Sequence, residues 1–281
     1  MFYLLNILIQ MKIILNNTDL SKTLGPFNDI GFVPTMGSIH EGHISLIKRS
    51  IQSNKKTIVS IFVNPKQFNN VKDFNSYPTN IKKDLAILKK IKKLDFVYIP
   101  RFKDVYENKR KSKVKIEKKY KILCAKYRKG HFEGVLDVMN RLTNLIKPKK
   151  IFMGKKDFQQ LFLVKKFIES KFNTKVIGCK TIRNKNKLAL SSRNFLFNKD
   201  ELKNVERISK SFLDLKNKIK NSKNINGLLK KSKNDLEKFF NIKIEYLENR
   251  NTKNLTISNK YRGSKVFLSY YYKNIRLIDN F

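Results

Sequence analysis

The stretch GFVPTMGSIHEGHISLIKRS, residues 31–50, decides how the rest of the chain is read. An apolar run, GFVPT, passes through a turn containing Gly37 into a helical pattern that carries His40 and His43. A helix that starts there points free N–H groups and the positive end of its dipole at whatever lies above it. Gly37 and Gly42 let the backbone approach an anion closely. Two histidines three residues apart reach one ligand together, and both can donate to phosphate oxygens as charge develops there. The chain has only 3 histidines, and this one turn holds two of them; the third is His131.

Outward from that turn, short β-branched runs alternate with longer amphipathic segments, the pattern of a parallel sheet covered by helices. The predicted strands are residues 12–15, 30–35, 57–63, 95–99, 150–153 and 175–179. The clearest helix is predicted over residues 133–147, where Val135, Val138, Leu142, Leu145 and Ile146 recur at spacings of three and four and Pro148 stops the run. Beyond about residue 182 a lysine-rich helical region precedes three further strand patterns at 242–248, 265–272 and 275–278. The fold class expected is α/β: a Rossmann-like parallel sheet flanked by helices over residues 1–181, with a smaller α+β domain over 182–281. The charged, turn-rich stretch TIRNKNK at 181–187 marks the boundary, and no internal repeat is visible.

Composition bounds the function classes. Lysine and arginine total 62 against 22 acidic residues, a formal charge of +40, which taken alone suggests nucleic acid or an anionic surface. Abundant Lys, Asn, Ile and Phe with no Trp point instead to a biased genome composition, and the charge is read as drift. Lys82, Lys83, Lys89, Lys90, Lys92 and Lys93 fall on the solvated face of a helix whose apolar face is Ile81, Leu85, Leu88 and Ile91. No basic stripe with interleaved aromatics emerges, so no nucleic-acid partner is expected. No run approaches the roughly 20 apolar residues of a membrane span. Cys124 and Cys179 are far apart and form no CxxC pair, which suits a reducing cytoplasm. Residues 1–10, MFYLLNILIQ, lack the features of a secretory signal and are read as an upstream extension, with Met11 an alternative start.

Five motifs, in order, then narrow the reading. PTMGSIHEGH (34–43) resembles PTMGxLHxGH, and SIFVNPKQF (60–68) resembles SIFVNPxQF. GHFEGV (130–135), FMGKKDFQQL (152–161) and LALSSRN (188–194) resemble GHFxGV, FGEKDxQQL and LAxSSRN, and the closing RLIDN (276–280) has the same look. On these residues the chain resembles the pantothenate synthetase family, in the HxGH nucleotidylyltransferase superfamily, over nearly its whole length.

The resemblance implies a cytoplasmic ligase that uses ATP to activate pantoate as an acyl adenylate and joins it to β-alanine. It implies that Met36, Gly37, His40, Gly42 and His43 hold ATP, His43 being the proton donor and His40 its phosphate-binding companion. Gly154, Lys155, Lys156 and Asp157 form a second ATP-contacting run, in which Lys156 neutralises phosphate charge and has a catalytic part, Asp157 accepts from ribose hydroxyls, and the side chains of Lys155 and Lys165 have no such task. Leu190, Ser191, Ser192 and Arg193 form a third, closing over the nucleotide, with Ile182 near adenine. Gln67, Gln160 and Asn64 are implied on pantoate, where amides that donate and accept suit a hydroxy acid. Gln67, Arg128 and His131 are implied on β-alanine. Mg²⁺ is expected to accompany ATP with few protein ligands, Asp84 being the candidate, and a homodimer is expected by family likeness.

Lys155 stands where the family usually has Glu, Lys129 replaces a Pro, Lys187 replaces a Gly, and Lys83 reduces the acidic pair expected near Asp84. Each lies beside an implied catalytic residue and none replaces one, so an active enzyme is expected, with any impairment falling on its efficiency. The rival readings are a nucleic-acid-binding protein supported by charge alone, and a superfamily member with another acceptor, against which the pairing of Gln67 with Gln160 argues.

Overall fold

The computed structural model describes residues 11–106 and 114–281; the leader 1–10 lies outside the described residues. Six strands form the parallel sheet expected from the sequence: β1 (Lys12–Ile14), β2 (Ile30–Thr35), β3 (Lys56–Ile61), β4 (Phe96–Tyr98), β5 (Lys150–Gly154) and β6 (Lys175–Cys179), in the spatial order β1-β4-β3-β2-β5-β6. Alternate residues of each strand face opposite layers. Phe32, Ile58 and Tyr98 enter one apolar cluster while their neighbours Val33, Val59 and Val97 enter another, so the strands read as continuous apolar runs, as strands covered on both faces must. Helices α1 (Asn17–Leu24), α2 (Glu41–Ser53), α3 (Val71–Asn75), α4 (Ile81–Lys89), α5 (Phe102–Val105), α6 (Cys124–Tyr127), α7 (His131–Ile146) and α8 (Phe158–Lys171) connect them.

From β2 the chain winds outward through β3 and β4, then returns to place β5 on the other side of β2 and continues to β6. The connections therefore diverge between β2 and β5, and in open α/β sheets ligands bind at such a point, outside the carboxyl ends of the strands. The histidine turn follows β2 and the Gly154–Asp157 run ends β5, so the topology alone brings the two segments together.

Past residue 182 two helices, α9 (Lys199–Lys220) and α10 (Ile225–Phe240), cover a three-stranded antiparallel sheet of β7 (Lys243–Asn251), β8 (Ser264–Tyr272) and β9 (Ile275–Asn280). Val205, Ile208, Phe212 and Leu215 of α9 recur at helical spacing and pack with Ile244, Val266 and Leu268 of the sheet in a separate core cluster.

Two local expectations shift. The helix predicted from residue 133 begins at His131, because Gly130, at φ +79°, is where the chain turns and can enter helix at the next residue. Its end agrees: Lys147 takes a left-handed conformation immediately before Pro148. In α4 the lysines are exposed as expected and Leu88 is fully buried, but Ile81 is 47% exposed and Ile91 lies beyond the helix end. The inward position is taken by Asp84, which is only 2% exposed.

Candidate active site

The turn between β2 and α2 is built on reciprocal capping. His40 is the N-cap residue, and its Nδ1 accepts from the N–H of Gly42 at 3.1 Å, while Nδ1 of His43 accepts from the N–H of His40 at 3.4 Å. Because both Nδ1 atoms accept from backbone N–H groups, each neutral ring carries its proton on Nε2. The rings lie 4.1 Å apart between centroids, and both line the cavity described below. Burial, then the charge of Lys156, pushes His40 down to about 4. Burial, then His40 and Lys156, pushes His43 down to about 3. At neutral pH this site therefore offers two uncharged Nε2–H donors.

Asp84 holds the turn from behind. Its two carboxylate oxygens accept from the N–H groups of Ser38, at 2.9 Å, and Ile39, at 2.7 Å. Gly37 sits at φ +81°, and a Cβ there would come within 2.8 Å of Asp84 Oδ2, so this position requires glycine on both counts. Asp84 does not line the cavity, and the structure gives it this positioning task in place of an open face for a metal. Asp84→Asn turns an NH₂ toward one of two backbone N–H donors; a loss of about 1–3 kcal/mol is expected, the cost of stranding a buried polar group, together with a raised ATP KM. Urea unfolding and ATP titration check this, and unchanged stability would contradict it.

Gln67 ends a 3-10 turn, Pro65–Gln67, and its orientation is fixed by backbone. Asn64 Oδ1 accepts from the Lys66 N–H, which turns Asn64 Nδ2 to the Gly134 carbonyl at 3.2 Å and to Gln67 Oε1 at 3.4 Å. Tyr106 donates to the same Asn64 Oδ1 at 3.0 Å. Gln67 thus spends its oxygen inside the protein and presents Nε2 to the cavity, beside Met36 Sδ. Asn64, 1% exposed, does not reach the cavity: the expectation that it contacts substrate gives way to that of a residue orienting Gln67. Gln160 lines the cavity, and its neighbour Gln159 points inward to the carbonyls of Tyr120 and Ile122.

His131 has the opposite tautomer. Its Nδ1–H donates to the Gln67 carbonyl at 2.6 Å, leaving Nε2 to accept from Arg128 Nη1 at 3.1 Å. Burial, then Arg128, pushes its pKa down to about 3. It is a neutral wedge between the Gln67 turn and Arg128.

Across the cavity, Ser191 caps the 3-10 turn Ser192–Leu196 by accepting from the Arg193 N–H, and Arg193 donates to the Arg276 carbonyl and to both oxygens of Asp73, at 2.7 and 3.0 Å. The Tyr77 hydroxyl lies 3.5 Å from Ser192 Oγ. Lys156 Nζ is 3.3 Å from each carboxylate oxygen of Asp157. The turn carrying this pair is anchored from β9: Asn280 Nδ2 donates to the carbonyls of Lys155 at 2.9 Å and Lys156 at 2.7 Å.

These segments converge on one cavity of about 330 Å³. Met36, His40, Gly42, His43, Gln67, Arg128, His131, Gly154, Lys156, Asp157, Gln160, Ile182, Leu190, Ser191, Ser192 and Arg193 all line it. Gly37, Lys155, Asn64 and Asp84 do not; Gly37 shapes the turn, and the exposed Lys155 side chain packs near Gly178, so the expectation of an ATP contact at Lys155 loses its geometric support. Sequence reading missed Asp73, Tyr77, Arg276 and Asn280. Only the last two carried a signal, lying in the RLIDN run noted without a role. Lys129 and Lys187 are exposed and off the cavity; Lys187 takes φ +72°, a conformation natural to the glycine usual there.

The three neutral histidines, His131 buried and His40 and His43 half-buried, carry a stability signature. Each is held below its ordinary value of 6.5 in the folded chain, so between pH 6.5 and about 4 the unfolded chain binds more protons and stability falls as pH falls. Each proton taken up contributes a slope of about 1.4 kcal/mol per pH unit. The urea midpoint is expected to drop steeply from pH 7.5 to pH 5, and a midpoint that holds constant over that interval would contradict the assignment.

Comparison with known proteins gives this geometry its context. The family model described as pantoate–β-alanine ligase matches residues 11–281. The pantothenate synthetase of Flavobacterium psychrophilum is 37% identical over 287 residues, covering 96% of this chain and 99% of that protein. Among solved structures, the pantothenate synthetase of Thermus thermophilus superposes with a TM-score of 0.86 at 28% identity, covering 96% of this chain and 99% of its own. The pantoate–β-alanine ligase of Francisella tularensis, solved with β-γ ATP and β-alanine, superposes with a TM-score of 0.83 at 33% identity over 96% of this chain and 97% of its own. With a family match from Met11 to the last residue and a near full-length relative at this identity, the chain belongs to the pantoate–β-alanine ligase family.

Proposed function

We propose that this ligase makes the pantothenate amide in two steps within the one cavity. A pantoate carboxylate oxygen attacks the α-phosphorus of ATP, the bond to the β-phosphate oxygen breaks, and pyrophosphate leaves. The β-alanine amine then attacks the acyl carbon of the adenylate, the bond to AMP breaks, and the amine loses a proton to solvent. The observation that carries this reading is two backbone-locked Nε2–H donors within the field of Lys156, on one cavity that Gln67 also lines. His40, His43, Lys156 and the Ser191–Arg193 turn oppose the charge that develops on the departing pyrophosphate, which is where fixed donors contribute most. Asp157 is assigned to ribose, Ile182 to adenine, Gln67 and Gln160 to pantoate, and Arg128 with His131 to the β-alanine side.

Mg²⁺ fits this site only as a companion of the triphosphate. Among the described residues no group of three His, Cys, Asp or Glu side chains is placed to hold a metal, and both Asp84 oxygens already accept from backbone N–H groups. Hard triphosphate oxygens and water would supply its ligands. We assign the nucleotide and pantoate machinery to residues 1–181 and a covering role to residues 182–281, and take the ligase to act as a cytoplasmic homodimer, in line with family likeness. No helix among the described residues is long and apolar enough to cross a membrane. The test is pyrophosphate release from ATP by purified protein: release that requires pantoate, with AMP and pantothenate appearing only when β-alanine is added, supports the reading, and no turnover from folded protein defeats it.

A further inference from the structure

Two guanidinium groups that face one cavity repel each other, and the fold answers this with a shared carboxylate placed off the cavity lining. Asp73, on the short helix α3, takes Arg193 Nη2 at 2.7 and 3.0 Å and lies 3.6 Å from Arg128 Nη2. Asp73 itself does not line the cavity, whereas both arginines do. Among the described residues the pair's other hydrogen bonds go to neutral acceptors: Arg128 donates to His131 Nε2, and Arg193 to the Arg276 carbonyl. Arg276 brings a third guanidinium to the same wall, but its charge is already met by Glu245. Among the described residues, Asp73 is thus the one carboxylate that meets both Arg128 and Arg193.

From this geometry we infer that Asp73 is a positioning residue that assembles Arg128 and Arg193 into one anion clamp, the seat of the departing pyrophosphate and then of the β-alanine carboxylate. The identity of those two anions rests on the proposed function; the clamp does not. An arginine loses rotamer freedom when it is ordered, and two like charges ordered side by side without a counter-charge splay apart. With Asp73 behind them, the free N–H groups of both arginines are set before any anion arrives.

The test exploits a conflict of sign. Asp73→Asn removes a negative charge from the neighbourhood, so if Asp73 acted only through its field, anions would bind more tightly to the variant. If it positions the arginines, they bind more weakly. Calorimetric titration of inorganic pyrophosphate into the full-length protein is expected to give a Kd raised at least about fivefold in Asp73→Asn and partly restored in Asp73→Glu. Unchanged or tighter pyrophosphate binding would overturn the inference, and this readout needs no turnover. In the steady state, the KM values for ATP and β-alanine are expected to rise while that for pantoate, seated on Gln67 and Gln160, stays within about twofold. A uniform change in all three, with a lowered unfolding midpoint, would mean that Asp73 serves stability alone.

Discussion

Replacing His43 by alanine is expected to lower pantoate-dependent pyrophosphate release by about 10²- to 10⁴-fold, the range for removing a positioned proton donor or charge stabiliser. The effect belongs in kcat, with pantoate binding little changed, because the proposed reaction assigns His43 to the leaving group and leaves the Gln67 side of the cavity untouched. His43 accepts from the His40 N–H, so alanine also removes half of a capping box, worth about 0.5–2 kcal/mol of stability. Urea unfolding therefore accompanies the kinetics. A rate loss below tenfold in a folded variant would remove His43 from this role. Because burial holds the free-enzyme pKa near 3, the donor is the neutral imidazole, and kcat/KM should show no ionisation from His43 between pH 5.5 and 8.

Gly134→Ala is expected to be the most damaging single methyl group in the molecule. Gly134 lies in the first turn of α7, where the helix meets the backbone of the Gln67 turn: a Cβ would come within 2.6 Å of the Lys66 carbonyl carbon and 2.9 Å of Gln67 Cα, and nearer still to the Lys66 oxygen. These are backbone atoms, so relief requires helix and turn to move apart. Overpacking of this kind costs about 1–3 kcal/mol and sometimes more. The displacement also breaks the contact from Asn64 to the Gly134 carbonyl that sets the Gln67 amide. A lowered unfolding midpoint and a pantoate KM raised about tenfold or more are expected, with ATP binding affected less. Wild-type stability and pantoate KM in this variant would show that the helix and turn are free to separate without consequence. Gly130→Ala, where a Cβ meets nothing within 4 Å, is the contrasting case: its cost comes only from the φ of +79°.

What the sequence made legible follows a physical division. All nine strand patterns became strands, because burial on both faces of the parallel sheet, and alternation in the antiparallel one, write themselves into local composition. The histidine turn was readable for the same local reason: strand, glycine and helix start lie within ten residues. Residues that act through distant partners were not. Asp73 reaches Arg193 across 120 positions without any mark in the sequence, and Asn280 reaches the Lys156 carbonyl across 124, where the RLIDN run flags the position but not the partner. Asn64 and Asp84 were found as residues, but their contacts within the protein, to the Gly134 carbonyl and to the Ser38 and Ile39 N–H groups, were not read, since a motif marks a position without saying which way its side chain turns. Asp84 points into the histidine turn because backbone N–H groups buried there need an acceptor, a requirement that appears only once the turn is folded.

In the proposed reaction the pantoate carboxylate attacks the α-phosphorus of ATP. Pantoate labelled with ¹⁸O in its carboxyl group decides this in one turnover, read by mass spectrometry of the products. One labelled oxygen is expected in AMP, carried there when the β-alanine amine cleaves the acyl–oxygen bond, with pyrophosphate unlabelled. Label absent from AMP, with pantothenate formed, would contradict it and require activation at another atom.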